Sequence, residues 1–537
     1  MGLKSAVKIR GESANYIGAR SVTAAIKPDI KLQPTRHVKT MDALQTGCVH
    51  INTMFLATRT LVSLSVSFYT TRIVIQQLGA ADYGLFNIIY GVVTFFTFVV
   101  TAMNDSVQRY IAIGVGSQKI SVIRDAVKNS MFIFVISAFI LAVCLLLARG
   151  VIIHNILNIP KDSIENASVL YLVAVFSITI LIIQTPLNAM VLAYEKMSFY
   201  AYMMIFEMVA KMSMALLLTL LEKDKVIVYS ILLGSISFFN LLVYLCYCLI
   251  CFKKSMFGGR IKFRVLKEIS TFSFWNIFGN FSYMCRVQGV NIVINMFYAI
   301  AVNAAYAISI TVLNAINTLT QSLITALRPQ IFKSYGECDL KRYNHLVLFG
   351  SKYTFSILFL LSSPVILCAD ELLKIWLDIV PDYTVEFVRL VIVVAFIDSF
   401  SYSMIAGIQA TGRIKTYQLV VSLIVLINLP LTFILFKAGN NVLSMFYPFI
   451  VTAIINQGLR LYFIYINAGF DYKKYFTVVI YPCLLAVCLS LVTDISIKKM
   501  LPFNSVIDVL IVCIFIFSFN TIIFYWVVVS KKEKNGY

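Results

Sequence analysis

The sequence predicts an all-α protein that crosses a membrane many times. Of its 537 residues, 60% are hydrophobic and only 13% are charged, and the mean hydropathy is +0.86. Soluble domains are far more polar. The apolar residues lie in runs of about 20 or more, which is the length that a transmembrane helix needs. A membrane β-barrel would instead show alternating segments of about ten residues.

The apolar runs predict about fourteen transmembrane spans. In chain order they are 51–78, 85–113, 128–150, 168–193, 199–221, 226–252, 271–300, 303–327, 347–369, 385–410, 417–437, 440–466, 475–493 and 504–530. We expect two six-helix lobes around a central cavity, plus two extra C-terminal helices. The predicted divisions are a basic cytoplasmic tail (1–50), an N-lobe (51–252), a basic cytoplasmic linker (253–270), a C-lobe (271–466), and the last two helices with a short tail (467–537).

The two-lobe prediction rests on an internal repeat. The segment LAYEKMSFY (192–200), between spans 4 and 5, matches QATGRIKTY (409–417), between spans 10 and 11, without a gap. Arg109 at the end of span 2 likewise corresponds to Arg328 at the end of span 8. Membrane proteins built from two repeats usually bind a substrate between them and move one against the other. The alternative is that apolar segments are alike by composition alone.

The net charge of +20 follows the membrane topology. Lys and Arg collect in alternate loops, which predicts a multi-pass membrane protein with both termini in the cytoplasm. Since the basic residues are not gathered on one soluble face, we expect no nucleic-acid partner. Residues 1–40 are polar and basic without the apolar core of a signal peptide. They are interpreted as a disordered tail, or as an extension upstream of a start at Met41.

Nothing in the sequence indicates an enzyme. The four His residues are scattered in the tail and loops, and no paired carboxylates, nucleophile elbow or phosphate-binding glycine loop stands on a soluble element. The eleven Cys residues lie mostly inside spans, where Cys packs as a small apolar residue. We therefore expect no catalytic residue, cofactor or metal.

Charged residues inside spans mark the candidate site, because each costs about 2.5–3.5 kcal/mol at a helix centre unless it has a partner or a wet cavity. Arg59 in span 1 and Asp105 in span 2 fall at the same depth, which predicts an ion pair. Arg109 lies one turn from Asp105 on the same face. Alternatively, Arg109 reaches to the lipid headgroups.

A second polar group lies in spans 7 and 8. Arg286 falls near the middle of span 7, beside a stripe of amides. The amides chosen as cavity candidates are Gln288, Asn291, Asn295, Asn314 and Asn317. Amides suit sugar hydroxyls, and an arginine can hold a phosphate with two hydrogen bonds. The alternative is that they link neighbouring helices.

Asp398, in the middle of span 10, has no local partner in the sequence. It is a candidate proton or cation site for energy coupling, or the counter-ion of Arg286. Glu207 and Lys211 are four residues apart on span 5 and can neutralise each other along one face.

Five segments resemble a known family. They are FYTTRIVIQQLGAADYGLFNIIYGVV (68–93), NDSVQRYIA (104–112), RVQGVNIVINMFYAIAVNAAYAISI (286–310), ALRPQIFKSYGECD (326–339) and IDSFSYSMIAGIQATGRIKTYQ (397–418). They are similar to the polysaccharide-transport (Wzx-like flippase) branch of the multidrug/oligosaccharidyl-lipid/polysaccharide exporter superfamily. The resemblance covers about 41–530. The long basic tail before Met41 departs from the family pattern.

The resemblance implies two lobes that alternate between inward-open and outward-open forms. It implies a polyprenyl-pyrophosphate-linked oligosaccharide as cargo, of O-antigen or capsule type, flipped across the inner membrane. Membrane lipids are the other expected partners, with polysaccharide polymerase or glycosyltransferases as further candidates. The alternative function is a cation-coupled multidrug antiporter of the same superfamily. A polymerase or ligase would need a sizeable outer loop, which the sequence lacks.

Overall fold

A computed structural model of the chain describes residues 96–153, 163–220, 224–298, 300–377, 380–500 and 505–529, together with scattered positions between 66 and 91. In this part of the chain the structure is helical and contains no strand. The predicted all-α, multi-span fold is confirmed. Span 1 and the tail before it lie outside the described residues, apart from scattered positions late in span 1.

The first group of helices forms the N-lobe. It consists of α1 Thr97–Gly116, α2 Ile120–Val151, α3 Ile164–Ala193, α4 Met197–Leu217 and α5 Lys225–Cys251. A short helix, α6 Lys253–Met256, leads to the next group. Buried aromatic residues such as Phe134 and Tyr171 lie in the N-lobe core.

The second group forms the C-lobe and two further helices. The C-lobe comprises α7 Phe263–Phe297, α8 Ile300–Gly336, α9 Leu340–Leu367, α10 Ala369–Trp376, α11 Thr384–Ser399, α12 Tyr402–Thr411, α13 Lys415–Lys437 and α14 Phe446–Ala468. A short α15 Tyr472–Tyr475 precedes α16 Tyr481–Met500 and α17 Val506–Val527, which pack against each other and against α9. Between the lobes, α1 packs against α7 and α8.

Within the described residues, eleven helical stretches are long and apolar enough to cross a membrane. They correspond to spans 3 to 6 and 8 to 14. The helix α7 is 35 residues long but is not one of the eleven, because its amides and charged residues lower its hydropathy.

Two helix boundaries differ from the prediction. Span 8 was expected to end at residue 327, yet α8 continues through Pro329 to Gly336 and is largely buried there. Packing against the N-lobe outweighs the missing proline hydrogen bond. Span 10 was expected to be continuous but breaks between Ser399 and Tyr402. Here the hydroxyl of Ser399 bonds the carbonyl of Phe396, as serine side chains do when they compete with helix hydrogen bonds.

The backbone repeats between the lobes. Gln118 and Cys338, 220 positions apart, both adopt left-handed conformations with φ of 54° and 60°. Glu195 and Gly412, which align in the repeated segment, do the same with φ of 57° and 76°. The repeat therefore extends from the sequence to the turns that end equivalent helices.

Candidate functional site

An ion pair joins the two lobes, between the middle of α1 and the last quarter of α8. The guanidinium of Arg328 donates a hydrogen bond to the carboxylate of Asp105. Asp105 is only 8% exposed. Arg59, its predicted partner, lies outside the described residues, and among the described residues the cation that pairs with Asp105 is Arg328. The aspartate therefore links one lobe to the other.

Arg109 strengthens the same contact. It is 8% exposed, and its Nε donates to the main-chain carbonyl of Ala410 at 3.2 Å. Its guanidinium also lies 5.0 Å from the ring centres of Tyr110 and Phe272. Since Ala410 and Phe272 belong to the C-lobe, Arg109 contacts protein on the far side of the interface instead of reaching lipid headgroups.

Glu195 forms the third link, from the turn between α3 and α4. Its two carboxylate oxygens accept hydrogen bonds from Lys333 at 2.9 Å and Gln330 at 3.2 Å, both on α8. A left-handed conformation costs a non-glycine residue about 1–2 kcal/mol. The aligned residue in the second repeat is Gly412, which avoids this cost. At Glu195 the side chain compensates by pairing across the lobes.

The helix ends meet backbone to backbone. A Cβ atom added to Gly336 would lie 2.8 Å from the carbonyl oxygen of Ile113, and one added to Gly116 would collide with the backbone of Lys333. Ile113 corresponds to Lys333 in the repeat, and Gly116 to Gly336. The two contacts are therefore reciprocal, like those of a two-fold symmetric interface. We call the residues Asp105, Arg109, Gly116, Glu195, Arg328, Lys333 and Gly336, with their partners, the lobe contact.

A cavity lies beside α8, on the N-terminal side of the lobe contact. Its volume is about 380 Å³. It is lined by Tyr200, Asn314, Asn317, Thr318, Gln321, Ser322 and Thr325. Tyr200 comes from α4 of the N-lobe and the others come from α8 of the C-lobe. The predicted residues Asn314 and Asn317 thus face a space that both lobes line, and the described lining contains amides and hydroxyls but no charged side chain.

A charged cluster lies inside the C-lobe. Asp398 is 3.5 Å from Arg286 and 3.6 Å from Arg460, and the three side chains are 18%, 12% and 12% exposed. The Arg286 guanidinium also lies 4.9 Å from the ring centre of Tyr283. Of the two roles predicted for Asp398, the structure shows the counter-ion of Arg286. One carboxylate facing two guanidinium groups leaves this cluster with a net positive charge.

The remaining predicted amides lie on α7. Gln288 and Asn295 are exposed, and Asn291 is half-buried and donates to the side-chain oxygen of Gln288 at 3.4 Å. None of the three is among the residues that line the cavity.

Sequence reasoning missed several residues of these sites, and four of them make the contacts described above. They are Tyr200, Glu195, Lys333 and Arg460. Glu195 carried a usable signal, because it stands where the aligned repeat has glycine. Arg460 carried the same signal as Arg286, because it is a charged residue inside a predicted span (440–466).

Comparisons with known proteins agree with this architecture. The family model MatE matches residues 57–217. Three solved structures share the fold. One, described as the outward-facing conformation of a multidrug resistance MATE family transporter of the MOP superfamily, has a TM-score of 0.68 at 12% identity, covering 78% of this chain and 95% of that chain. A MATE protein in a bent conformation has a TM-score of 0.67 at 14% identity, covering 81% and 99%.

The third is a MOP superfamily transporter from Pyrococcus furiosus, described as having a binding pocket of reversed polarity that points to a different function. Its TM-score is 0.66 at 12% identity, and the match covers 78% of this chain and 95% of that chain. No curated protein sequence matches the chain significantly. The chain therefore has the fold of MATE transporters, and part of its N-terminal half matches the MatE family.

Proposed function

We propose that this protein is an exporter of the MOP superfamily and not an enzyme, and that it flips polyprenyl-pyrophosphate-linked oligosaccharides across a bacterial inner membrane by alternating access. The glycan headgroup passes between the lobes, while the polyprenyl chain stays in the bilayer. A shared fold does not fix the cargo, so the assignment of cargo rests on the residues of this chain.

The lining of the cavity beside α8 carries the proposal. Asn314, Asn317 and Gln321 offer amide donors and acceptors, and Thr318 and Thr325 offer hydroxyls. Such groups match sugar hydroxyls, which both donate and accept hydrogen bonds. A cationic drug would instead be held by a carboxylate, and none lies in the described lining.

The C-lobe cluster supplies positive charge for the diphosphate. Asp398 carries one negative charge against the two positive charges of Arg286 and Arg460, so the cluster keeps an excess positive charge that attracts an anion. Arginine matches phosphate geometry and stays charged at any physiological pH. This arrangement supports an anionic cargo and argues against Asp398 as a cation site for coupling, since two guanidinium groups already compensate its charge.

The lobe contact acts as the gate of the transport cycle. Its bonds are polar and reversible, and the charge pattern of the loops supports a position at the cytoplasmic end. The structure then corresponds to the form closed toward the cytoplasm. Loading requires that Asp105 release Arg328 and that Glu195 release Lys333, which shifts the population to the form open to the cytoplasm.

The cavity is tested in the bacterium that carries this chain. In a strain without the native gene, the double variant N314A/N317A should restore little surface glycan, although membrane blots show normal protein levels. The matched control is Thr311→Ala, an exposed residue of α8 outside the cavity lining. Normal amounts of surface glycan in the N314A/N317A strain would show that this cavity does not bind the cargo.

A multidrug antiporter is the second candidate, and a cavity of about 420 Å³ in the N-lobe favours it. Aromatic residues and a carboxylate line this cavity, including Phe86, Tyr90, Tyr229 and Glu207. Lys211 lies 2.6 Å from Glu207 and neutralises it, which weakens the attraction for a cation. Greater drug susceptibility of the deletion strain, reversed by the parent but not by E207Q, would favour this function over glycan flipping.

A further inference from the structure

The segment between the lobes is held firmly against the N-lobe. The backbone N–H of Arg260 donates to the Asp125 carboxylate at 2.8 Å, and that of Lys262 donates to the Asn129 side chain at 2.9 Å. The Asn129 amide donates in turn to the carbonyl of Arg260 at 2.8 Å. Asp125 and Asn129 belong to the first turns of α2, so the segment has a fixed conformation and direction.

This conformation leaves apolar side chains uncovered. Phe257 is 58% exposed, Ile261 is 51% exposed and Phe263 is 80% exposed. All three lie within seven residues of one another, next to the end of α6 and the start of α7. They do not contribute to the core of either lobe.

Basic residues surround the three apolar side chains. The exposed ones are Lys253, Lys254, Arg260, Lys262, Arg264 and Lys267. Lys262 pairs with Asp125 at 2.5 Å, and Arg264 pairs with Glu268 at 3.4 Å. For the other four, the described part of the chain supplies no carboxylate within salt-bridge distance. We call these six residues with Phe257, Ile261 and Phe263 the basic linker patch.

The patch lies at the level of the lipid headgroups. The 35 residues of α7 extend over about 52 Å, whereas the hydrocarbon core of a bilayer is about 30 Å thick. The first turns of α7 therefore project into the interface on the side where the charge pattern places the cytoplasm. Phe263, the first residue of α7, stands at this boundary.

We propose that the basic linker patch binds anionic phospholipid headgroups of the inner leaflet, with Phe257, Ile261 and Phe263 inserted at the boundary between headgroups and acyl chains. Clusters of four to eight basic residues next to a membrane span attract anionic lipids. Interfacial segments combine such charges with bulky apolar residues. An acidic protein partner would leave the three apolar side chains unexplained at this depth. The site is independent of the cargo.

The test uses a tryptophan at the most exposed apolar position. The full-length F263W variant and the parent are placed in mixed detergent–lipid micelles. The difference between their tryptophan fluorescence is the signal of the tryptophan at position 263. Brominated phosphatidylglycerol should quench it at a mole fraction about tenfold or more below that required of brominated phosphatidylcholine. Equal quenching by the two lipids would overturn the proposal.

Two charge variants in the F263W background complete the test. K253Q/K254Q/K267Q removes three charges that have no carboxylate partner among the described residues, so the preference for phosphatidylglycerol should fall about tenfold or more. The control K341Q/K473Q/K474Q removes three exposed lysines from the first turn of α9 and from α15, and should keep the preference. A preference that persists in the first variant, or that is lost equally in both, would also overturn the proposal. Correct folding is verified by the elution volume in size-exclusion chromatography.

Discussion

Replacing Asp105 by Asn should open the lobe contact. The substitution preserves the size of the side chain but removes its charge, so Arg328 keeps a guanidinium with no carboxylate partner at the interface between the lobes. Among the described residues, the Nε of Arg328 already has no hydrogen-bond partner. In the form with the lobes closed at this end, the unpaired guanidinium of Arg328 is desolvated. The substitution therefore raises the free energy of the closed form.

The expected magnitude follows from the burial of the pair. Removing one partner of a fully buried ion pair costs about 3–5 kcal/mol. Here the side chains of Arg328 and Asp105 are 23% and 11% exposed, so water screens part of the interaction. We take a loss of about 2 kcal/mol, which is a factor of about 30 in the equilibrium between the forms. A population that is nine-tenths closed would become about one-quarter closed.

Spin labels measure this shift directly. Lys119 follows α1 and Leu340 begins α9, and both are exposed beyond the lobe contact. Labels are attached to cysteines at these two positions, in a variant whose exposed native cysteines are replaced by serine. Double electron–electron resonance should show one dominant short distance in the parent and a larger, longer-distance population in D105N.

The control removes an ion pair that does not join the lobes. Glu207 and Lys211 are both on α4, so E207Q should leave the distance distribution unchanged. An unchanged distribution in well-folded D105N would refute the role given to the lobe contact. The same opening in E207Q would show that loss of any membrane-embedded charge causes it.

Four further substitutions have defined outcomes. Gly336→Val places side-chain atoms where the backbone of Ile113 lies, so it should favour the open form in the same resonance experiment and reduce surface glycan. Asp398→Asn leaves two buried arginines without their carboxylate and should destabilise the fold by about 3 kcal/mol, seen as a lower thermal unfolding temperature. R460Q, which retains one arginine per carboxylate, should lower that temperature less. E195Q should weaken the pairing with Lys333 and give partial opening, and a distance distribution as open as that of D105N would contradict this.

Hydropathy was enough to locate most of the fold. Apolar runs long enough to span a bilayer have few alternatives to a helix, because every backbone polar group must be satisfied internally. The helix boundaries were harder to predict than the helices themselves, since the boundaries depend on tertiary contacts. Nothing local to Pro329 shows that α8 continues to Gly336, because the reason is the N-lobe surface packed against it. The break between Ser399 and Tyr402 likewise contains neither Pro nor Gly.

The site was predicted less completely than the fold. The sequence indicated that Asp105 needs a cation, and the depth argument, which compared neighbouring spans, named Arg59, a residue outside the described part of the chain. The internal repeat was a better guide to the site than depth, because it aligned Arg109 with Arg328. This alignment indicated that the two helices have equivalent roles. The asparagines of α8 could be found from their helical spacing, which places Asn314 and Asn317 near the exposed face that borders the cavity.

Transport by a tethered protein tests the central claim most directly. A variant with cysteines at Lys119 and Leu340, linked by a cleavable bifunctional maleimide, is reconstituted into liposomes with a fluorescent polyprenyl-pyrophosphate oligosaccharide. The fraction of cargo reaching the outer leaflet is read with an impermeant quencher. We predict flipping by the untethered protein, arrest by the tether, and recovery once the tether is cleaved. Flipping at an undiminished rate with the tether in place would contradict the account.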